Sequence, residues 1–243
     1  VLTAYTGPSR ITAANTVIDG KIITTSLTIV AGANNVTIKN SIIRASGYWL
    51  VLNDEGATGL KIIDSELDGT PNAPSSGDSA VAGDNYTLTR VNIHHTVDGL
   101  KAGSNVVVED SYIHDMLIAG ADPHNDGIQS LGTTSLTIRH NTIILKDGST
   151  SAIILSTGSA DSMRNILIEN NLLGGGAFTV YGGYEAGRDT LSKVSNIRII
   201  DNKFTTQIHP NSGAYGPLTS TDSPVVVTGN TWYDGPKIGQ PVS

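Results

Sequence analysis

The chain contains no cysteine, and only two Met, two Trp and two Phe among its 243 residues. Without cysteine there can be no disulfide staple, no zinc held by thiolates and no thiol catalysis. No apolar run approaches the ~18 residues that a membrane-spanning helix needs, so a soluble protein with no membrane partner is expected. Positive charge is scarce as well: 15 Lys+Arg face 22 Asp+Glu, a net charge of −7 with His neutral. An acidic chain with no basic run lacks the footprint of a nucleic-acid binder. No signal peptide opens the chain at Val1, as in a mature secreted bacterial protein, and an extracellular location is the expectation. A hydrophobic content of 38% excludes a disordered chain, and the length suits one domain or two small ones.

What the sequence has is a repeat. Residues 36–43 (Val-Thr-Ile-Lys-Asn-Ser-Ile-Ile), 60–67 (Leu-Lys-Ile-Ile-Asp-Ser-Glu-Leu) and 106–113 (Val-Val-Val-Glu-Asp-Ser-Tyr-Ile) share one pattern. Residues 136–143, 166–173 and 197–204 repeat it, with degenerate copies at 86–93 and 225–232. Each is a short run of alternating apolar residues, then Asn, Asp or Ser, then another apolar residue. Alternation at two, rich in β-branched residues, reads as strand, and no stretch carries a capped helical period. Strands recurring every ~20–30 residues build a solenoid whose coils bury their inward side chains against their neighbours. The predicted fold class is all-β, a single-domain parallel β-helix. The polar corner residues are expected to satisfy turn backbone groups and to hydrogen-bond along the axis in stacked ladders.

This pattern resembles the right-handed parallel β-helix proteins of the pectate-lyase-like superfamily over nearly the whole chain. That superfamily includes polysaccharide lyases, glycoside hydrolases, esterases and phage tailspikes. The small single-domain form is similar to short secreted bacterial alginate lyases. The resemblance therefore implies a carbohydrate-active protein. No linker divides the chain: residues 71–77 (Pro-Asn-Ala-Pro-Ser-Ser-Gly) read as an inserted loop. Residues 1–15 are expected to cap the first coil and 233–243 to form a closing tail.

A second strand in each coil reads Asp98-Gly99-Leu100-Lys101, Asp126-Gly127-Ile128-Gln129, Ala152-Ile153-Ile154-Leu155 and Phe178-Thr179-Val180-Tyr181. With Leu100, Ile128 and Val180 inward, Lys101, Gln129 and Tyr181 face out together, and Asp98 and Asp126 stack at the adjoining corner. Coils lie ~4.8 Å apart, which places Tyr181 ~14 Å from Lys101. Two strings stand out. Residues 122–129 (Asp-Pro-His-Asn-Asp-Gly-Ile-Gln) bring His124, Asn125 and two Asp into a turn entering this face, with His124 a candidate general acid or base oriented by Asp126. The bland reading of that string is a polar Asp-Gly corner. Residues 181–189 (Tyr-Gly-Gly-Tyr-Glu-Ala-Gly-Arg-Asp) put Tyr181, Tyr184 and Arg188 in a Gly-rich loop suited to sugar rings and a carboxylate. Its bland reading is a solvated loop. Lys193, His209 and Tyr215 are expected to flank the groove. His94, His95, His114 and His140 read as corner or surface residues, and Trp49 and Trp232 as end packing.

The leading expectation is a polysaccharide lyase acting by β-elimination on a uronate-containing polymer, with alginate favoured. Lys101, His124, Tyr181, Tyr184 and Arg188 are the candidate catalytic residues. Asp98, Asn125, Asp126, Gln129, Lys193, His209 and Tyr215 are the candidate substrate contacts. Either the Lys101–His124 cluster or the Tyr181–Tyr184–Arg188 cluster would be catalytic, the other forming a subsite. One alternative is a glycoside hydrolase using Asp98 and Asp126. Another is a carbohydrate-binding or tailspike-like protein without catalysis. The expected partner is an anionic polysaccharide, met by a monomer. No cofactor is required by these residues. Ca²⁺ is conceivable among Asp98, Asp122 and Asp126, although no calcium-loop signature is present.

Overall fold

Each copy of the repeat folds as two strands around a corner. In the computed structural model, which describes residues 1–70, 78–118 and 124–242, the coils stack into three all-parallel sheets of ten, nine and nine strands. We call them sheets A, B and C, visited in that order in every coil. Each repeat supplies a sheet C strand followed by a sheet A strand; the intervening sheet B strand lies outside the repeat, which is why it is less regular in sequence. The fold is a single-domain right-handed parallel β-helix, the solenoid expected from the repeat.

Register explains the core. Inward residues stack like on like along the axis: Ile23, Ile43, Leu67, Ile93, Ile113, Ile143 and Leu173 form one column in sheet A, ending on Phe204 and Trp232. Those aliphatic residues are all fully buried. Burying a side chain of this size contributes roughly 1.5–3 kcal/mol, so the columns are the main stabilising element.

The corner between sheets C and A has two positions with separate tasks. The first takes a left-handed backbone: Asn40, Asp64, Arg90, Asp110, His140, Asn170 and Asp201 have φ between 50° and 56°. Asn and Asp tolerate this conformation, which accounts for their recurrence there. The second position points inward and builds the ladder. The backbone N–H of Asn141 donates to Asn171 Oδ1 at 2.9 Å, and that of Asn171 to Asn202 Oδ1 at 3.0 Å. Asn202 repeats the bond to Asn230 at 2.9 Å, and Ser41, Ser65 and Ser111 fill the position earlier in the chain. His140 thus occupies the left-handed position, and its neighbour Asn141 is the ladder residue.

The two ends are built differently. Residues 1–15 do not simply cap: Thr3–Ala4 pairs with sheet A and Arg10–Ile11 with sheet B, both in parallel register. The closing segment folds back over Trp232, with a short 3-10 turn at Gly235–Lys237 and Lys237 Nζ 5.0 Å from the indole centroid. The proposed inserted loop at 71–77 lies outside the described residues.

Candidate functional site

Sheet B carries the main cluster of candidate groups on its outer face. Lys101 pairs in register with Gln129, Gln129 with Ile154, and Ile154 with Tyr181. The row anticipated from the sequence is therefore present, with one half-buried isoleucine between the amide and the phenol.

The Asp-Gly pairs that begin two of these strands have a packing cause. A Cβ on Gly99 would lie 2.3 Å from the carbonyl oxygen of Gly127, and one on Gly127 would lie 2.5 Å from that of Ala152. Backbones of successive coils approach too closely there for any side chain. Gly99 faces the core beside Ile113, and Leu100 is also buried, so strict alternation breaks. Asp98 and Lys101, three residues apart, consequently share the outer face, with Asp98 Oδ2 3.9 Å from the ammonium.

The polar groups form a chain across coils. Trp49 Nε1 donates to Asp78 Oδ2 at 3.2 Å, and Lys101 Nζ donates to Asp78 Oδ1 at 2.6 Å. Asp98 Oδ1 accepts the backbone N–H of Asp126 at 2.8 Å. Asp126 accepts the Ser151 hydroxyl at 2.5 Å and the Gln129 amide at 3.2 Å. Asp78, Ser151 and Trp49 were not anticipated. They join through contacts between coils, for which a linear sequence offers only the register as a signal. Trp49 lies on sheet B and serves Asp78; it does not pack an end.

Electrostatics divide these groups. Asp98 and Asp126 are only 2% and 1% exposed. Burial, reinforced by the Asp126 charge, pushes the Asp98 carboxyl up to about 8. Burial pushes Asp126 up to about 6, against the opposing pull of Ser151, Gln129, His124 and Lys101. Burial alone would lower Lys101, but the hydrogen bond and charge of Asp78, with Asp98, outweigh it and hold the ammonium above its ordinary value. Burial and the Asp126 charge raise Tyr181, so its phenol stays protonated.

Of the remaining candidates, His124 is exposed. Arg188 is exposed, pairs with Glu185 at 3.2 Å, and lines a cavity of ≈ 110 Å³ together with Tyr181. Tyr215 is exposed, its ring 5.8 Å from Phe178, which in turn stands 5.7 Å edge-on to Tyr181. At the other end of the row, Lys101 and Gln129 line a cavity of ≈ 280 Å³.

Four candidates belong elsewhere. Tyr184 is buried in the hydrophobic core, beyond an irregularity in the strand: Tyr181 pairs with Thr219 but Tyr184 with Thr221. Asn125 is fully buried and donates to Ser149 Oγ at 3.3 Å, so it packs beneath the face and does not present to a substrate. Lys193 ends the 3-10 turn leading into sheet C and lines neither cavity. His209 faces Asp147 at 3.4 Å in the loop after the sheet A strand Lys203–Phe204. Asp122, the third calcium candidate, lies outside the described residues, while the oxygens of Asp98 and Asp126 are engaged by protein donors.

No family model matches the chain, and no curated protein and no solved structure matches it either.

Proposed function

We propose that sheet B is the working face of a secreted, monomeric polysaccharide lyase that cleaves a uronate-containing chain, alginate-like in charge, by β-elimination. The observation that carries this reading is the in-register outer row from Lys101 through Gln129 to Tyr181, lying over the buried Asp126. The groups accessible on that face are a cation, an amide donor, an imidazole and a phenol; the carboxyls lie beneath them. The row runs parallel to the solenoid axis, as an extended polymer bound along sheet B would.

The protonation states assign roles. Lys101 is held as a cation by Asp78 and serves poorly as a base, so with the Gln129 amide it neutralises the uronate carboxylate and stabilises the charge that develops on it. His124 takes the proton from C5, the electron pair forms the C4–C5 double bond, and the bond from C4 to the glycosidic oxygen breaks. Tyr181, three coils from Lys101, lies too far along the axis to reach that sugar, so the imidazolium formed on His124 returns the proton to the leaving oxygen and the protonated Tyr181 binds a neighbouring sugar. Arg188 and Tyr215, exposed at the Tyr181 end, bind neighbouring sugars of the same chain.

The test is incubation with alginate, polygalacturonate, hyaluronan and glucuronan separately, with near-ultraviolet absorbance followed for the unsaturated uronate end. A rise on one polymer is the expected result. A flat trace on all four, from folded protein, removes the lyase reading.

A second reading has its own observation. Asp98 and Asp126 stand one coil apart, ~4.8 Å, and their environments push them to about 8 and about 6, the separation of an acid from its partner carboxylate. A glycoside hydrolase would use such a pair. It would release reducing ends with no near-ultraviolet signal, and Asp98→Asn would lower that activity by about 10²–10⁴. Loss of polymer binding on mutating the row, with polymer length never changing, would mark a binding protein.

A further inference from the structure

We infer that the corner between sheets A and B is a binding site for a divalent transition ion of the zinc class, held by Asp68, His94 and His95. One ligand atom from each of these three residues lies within 4.8 Å of the other two. His94 Nδ1 stands 2.6 Å from His95 Nδ1 and 3.6 Å from Asp68 Oδ1. Zinc bonds of ~2.0–2.1 Å set tetrahedral ligand edges near 3.3 Å, so a small opening of the two imidazoles seats the ion.

The tautomer of His94 favours this use. Its other nitrogen, Nε2, faces Glu66 Oε1 at 3.3 Å, so the ring proton belongs there and the Nδ1 lone pair is left pointing inward. A carboxylate behind a histidine is the arrangement that orients metal-binding imidazoles. Asp68 is oriented in the same way: Arg44 Nε donates to Oδ2 at 2.5 Å, while the Thr70 backbone N–H donates to Oδ1 at 2.8 Å and its hydroxyl also bonds Oδ1. In the absence of an ion, a His95 N–H donating to His94 accounts for the short contact between the rings.

The backbone adds an independent observation. His95 has φ 58°, a left-handed conformation, and the residue beneath it in the next coil, Asp115, has φ 49°. Residues that open a left-handed corner in this chain are otherwise mostly Asn or Asp. Histidine tolerates that conformation as Asn and Asp do, and it holds the His95 ring with Nδ1 facing His94. Nearby His114 is not a ligand, since Asp115 and Asn92 engage both its nitrogens at 2.6 Å and 2.9 Å.

Two imidazoles and one carboxylate select a borderline ion over Ca²⁺ or Mg²⁺, which want oxygen alone. Three protein ligands leave a fourth position for water. Asp68 belongs to one coil and the histidines to the next, so the ion ties neighbouring coils together three residues before Asp98. The site does not depend on the polysaccharide reading.

The experiment is titration of the purified protein with Zn²⁺ by calorimetry, with imidazole resonances followed by NMR. One ion per chain at micromolar affinity or tighter is expected, together with a raised unfolding temperature and movement of two of the six histidine signals. His94→Gln and His95→Asn should each weaken binding at least about 10-fold and abolish the signal of the replaced ring, and His95→Asn keeps the left-handed corner. His140→Ala and His209→Ala should bind as wild type. Absence of saturable binding by wild type overturns the site. So does binding that survives the His94→Gln, His95→Asn double variant.

Discussion

Asp98 Oδ1 accepts the backbone N–H of Asp126 at 2.8 Å, joining two buried carboxyls of adjacent coils through main chain. One end of the linkage is an acceptor whichever protonation state Asp98 adopts, so the bond survives the proton. The charge does not enjoy the same indifference. Asp98 carries a proton up to about 8, well above the ordinary carboxyl value of 3.8.

Stability should therefore fall as pH rises. The folded state holds a proton on Asp98 that the unfolded state has already released, so the contribution is complete below the unfolded value and lost as pH rises through about 8. Asp126 acts in the same direction through about 6. Melting temperatures measured from pH 5 to 9 should decline by several degrees. Asp98→Asn keeps the acceptor oxygen and should flatten the slope and melt higher than wild type at the alkaline end. An unchanged slope in that variant would mean that Asp98 ionises freely in the fold.

Activity on the responsive polymer should separate the ends of the sheet B row. Lys101→Ala should lower kcat/KM about 100-fold or more, because its cation faces the developing negative charge. Tyr181→Phe, at the far end, should raise KM a few-fold with little change in kcat, the signature of a lost contact to a neighbouring sugar. A Tyr181→Phe enzyme that loses several orders of magnitude in kcat would instead set the reacting sugar at the Tyr181 end.

Arg188 should side with Tyr181, with which it lines one cavity. It is mostly exposed and already paired with Glu185, so Arg188→Ala should raise KM a few-fold while kcat holds, and the difference should shrink in high salt. A kcat loss of several orders of magnitude would instead set Arg188 at the reacting sugar.

The polar ladder should be costly to break. Asn171→Ala removes acceptance from the Asn141 backbone N–H at 2.9 Å and donation to the Ile138 carbonyl at 3.0 Å, leaving both buried groups unpaired. Urea unfolding should show a loss of about 3 kcal/mol. A loss below about 1 kcal/mol would mean that water replaces the amide in the corner.

How far the sequence reveals this molecule depends on the range of the physics. Sheet C and sheet A strands are legible because hydrophobic alternation is local, and the corner ladder because its polar residues recur at fixed offsets. The Lys101–Gln129 row follows from the same alternation. Tyr184 was not legible: a strand irregularity after Tyr181 sets its face. Nor were Asp78, Ser151 and Trp49, since each meets its partner 23 to 29 residues away. The Asp68–His94–His95 cluster hides likewise, two of its members reading as ordinary corner residues.

The unbroken stacking of coils has a mechanical consequence. Backbone hydrogen bonds of all three sheets run along one axis, and no interdomain seam interrupts the columns. Bending the described body would stretch whole rows of bonds at once, so the described sheets contain no hinge that could shut over a bound chain. A ligand on sheet B must then conform to a rigid ruler with one mark per coil, and selectivity among polymers becomes a matter of matching periods.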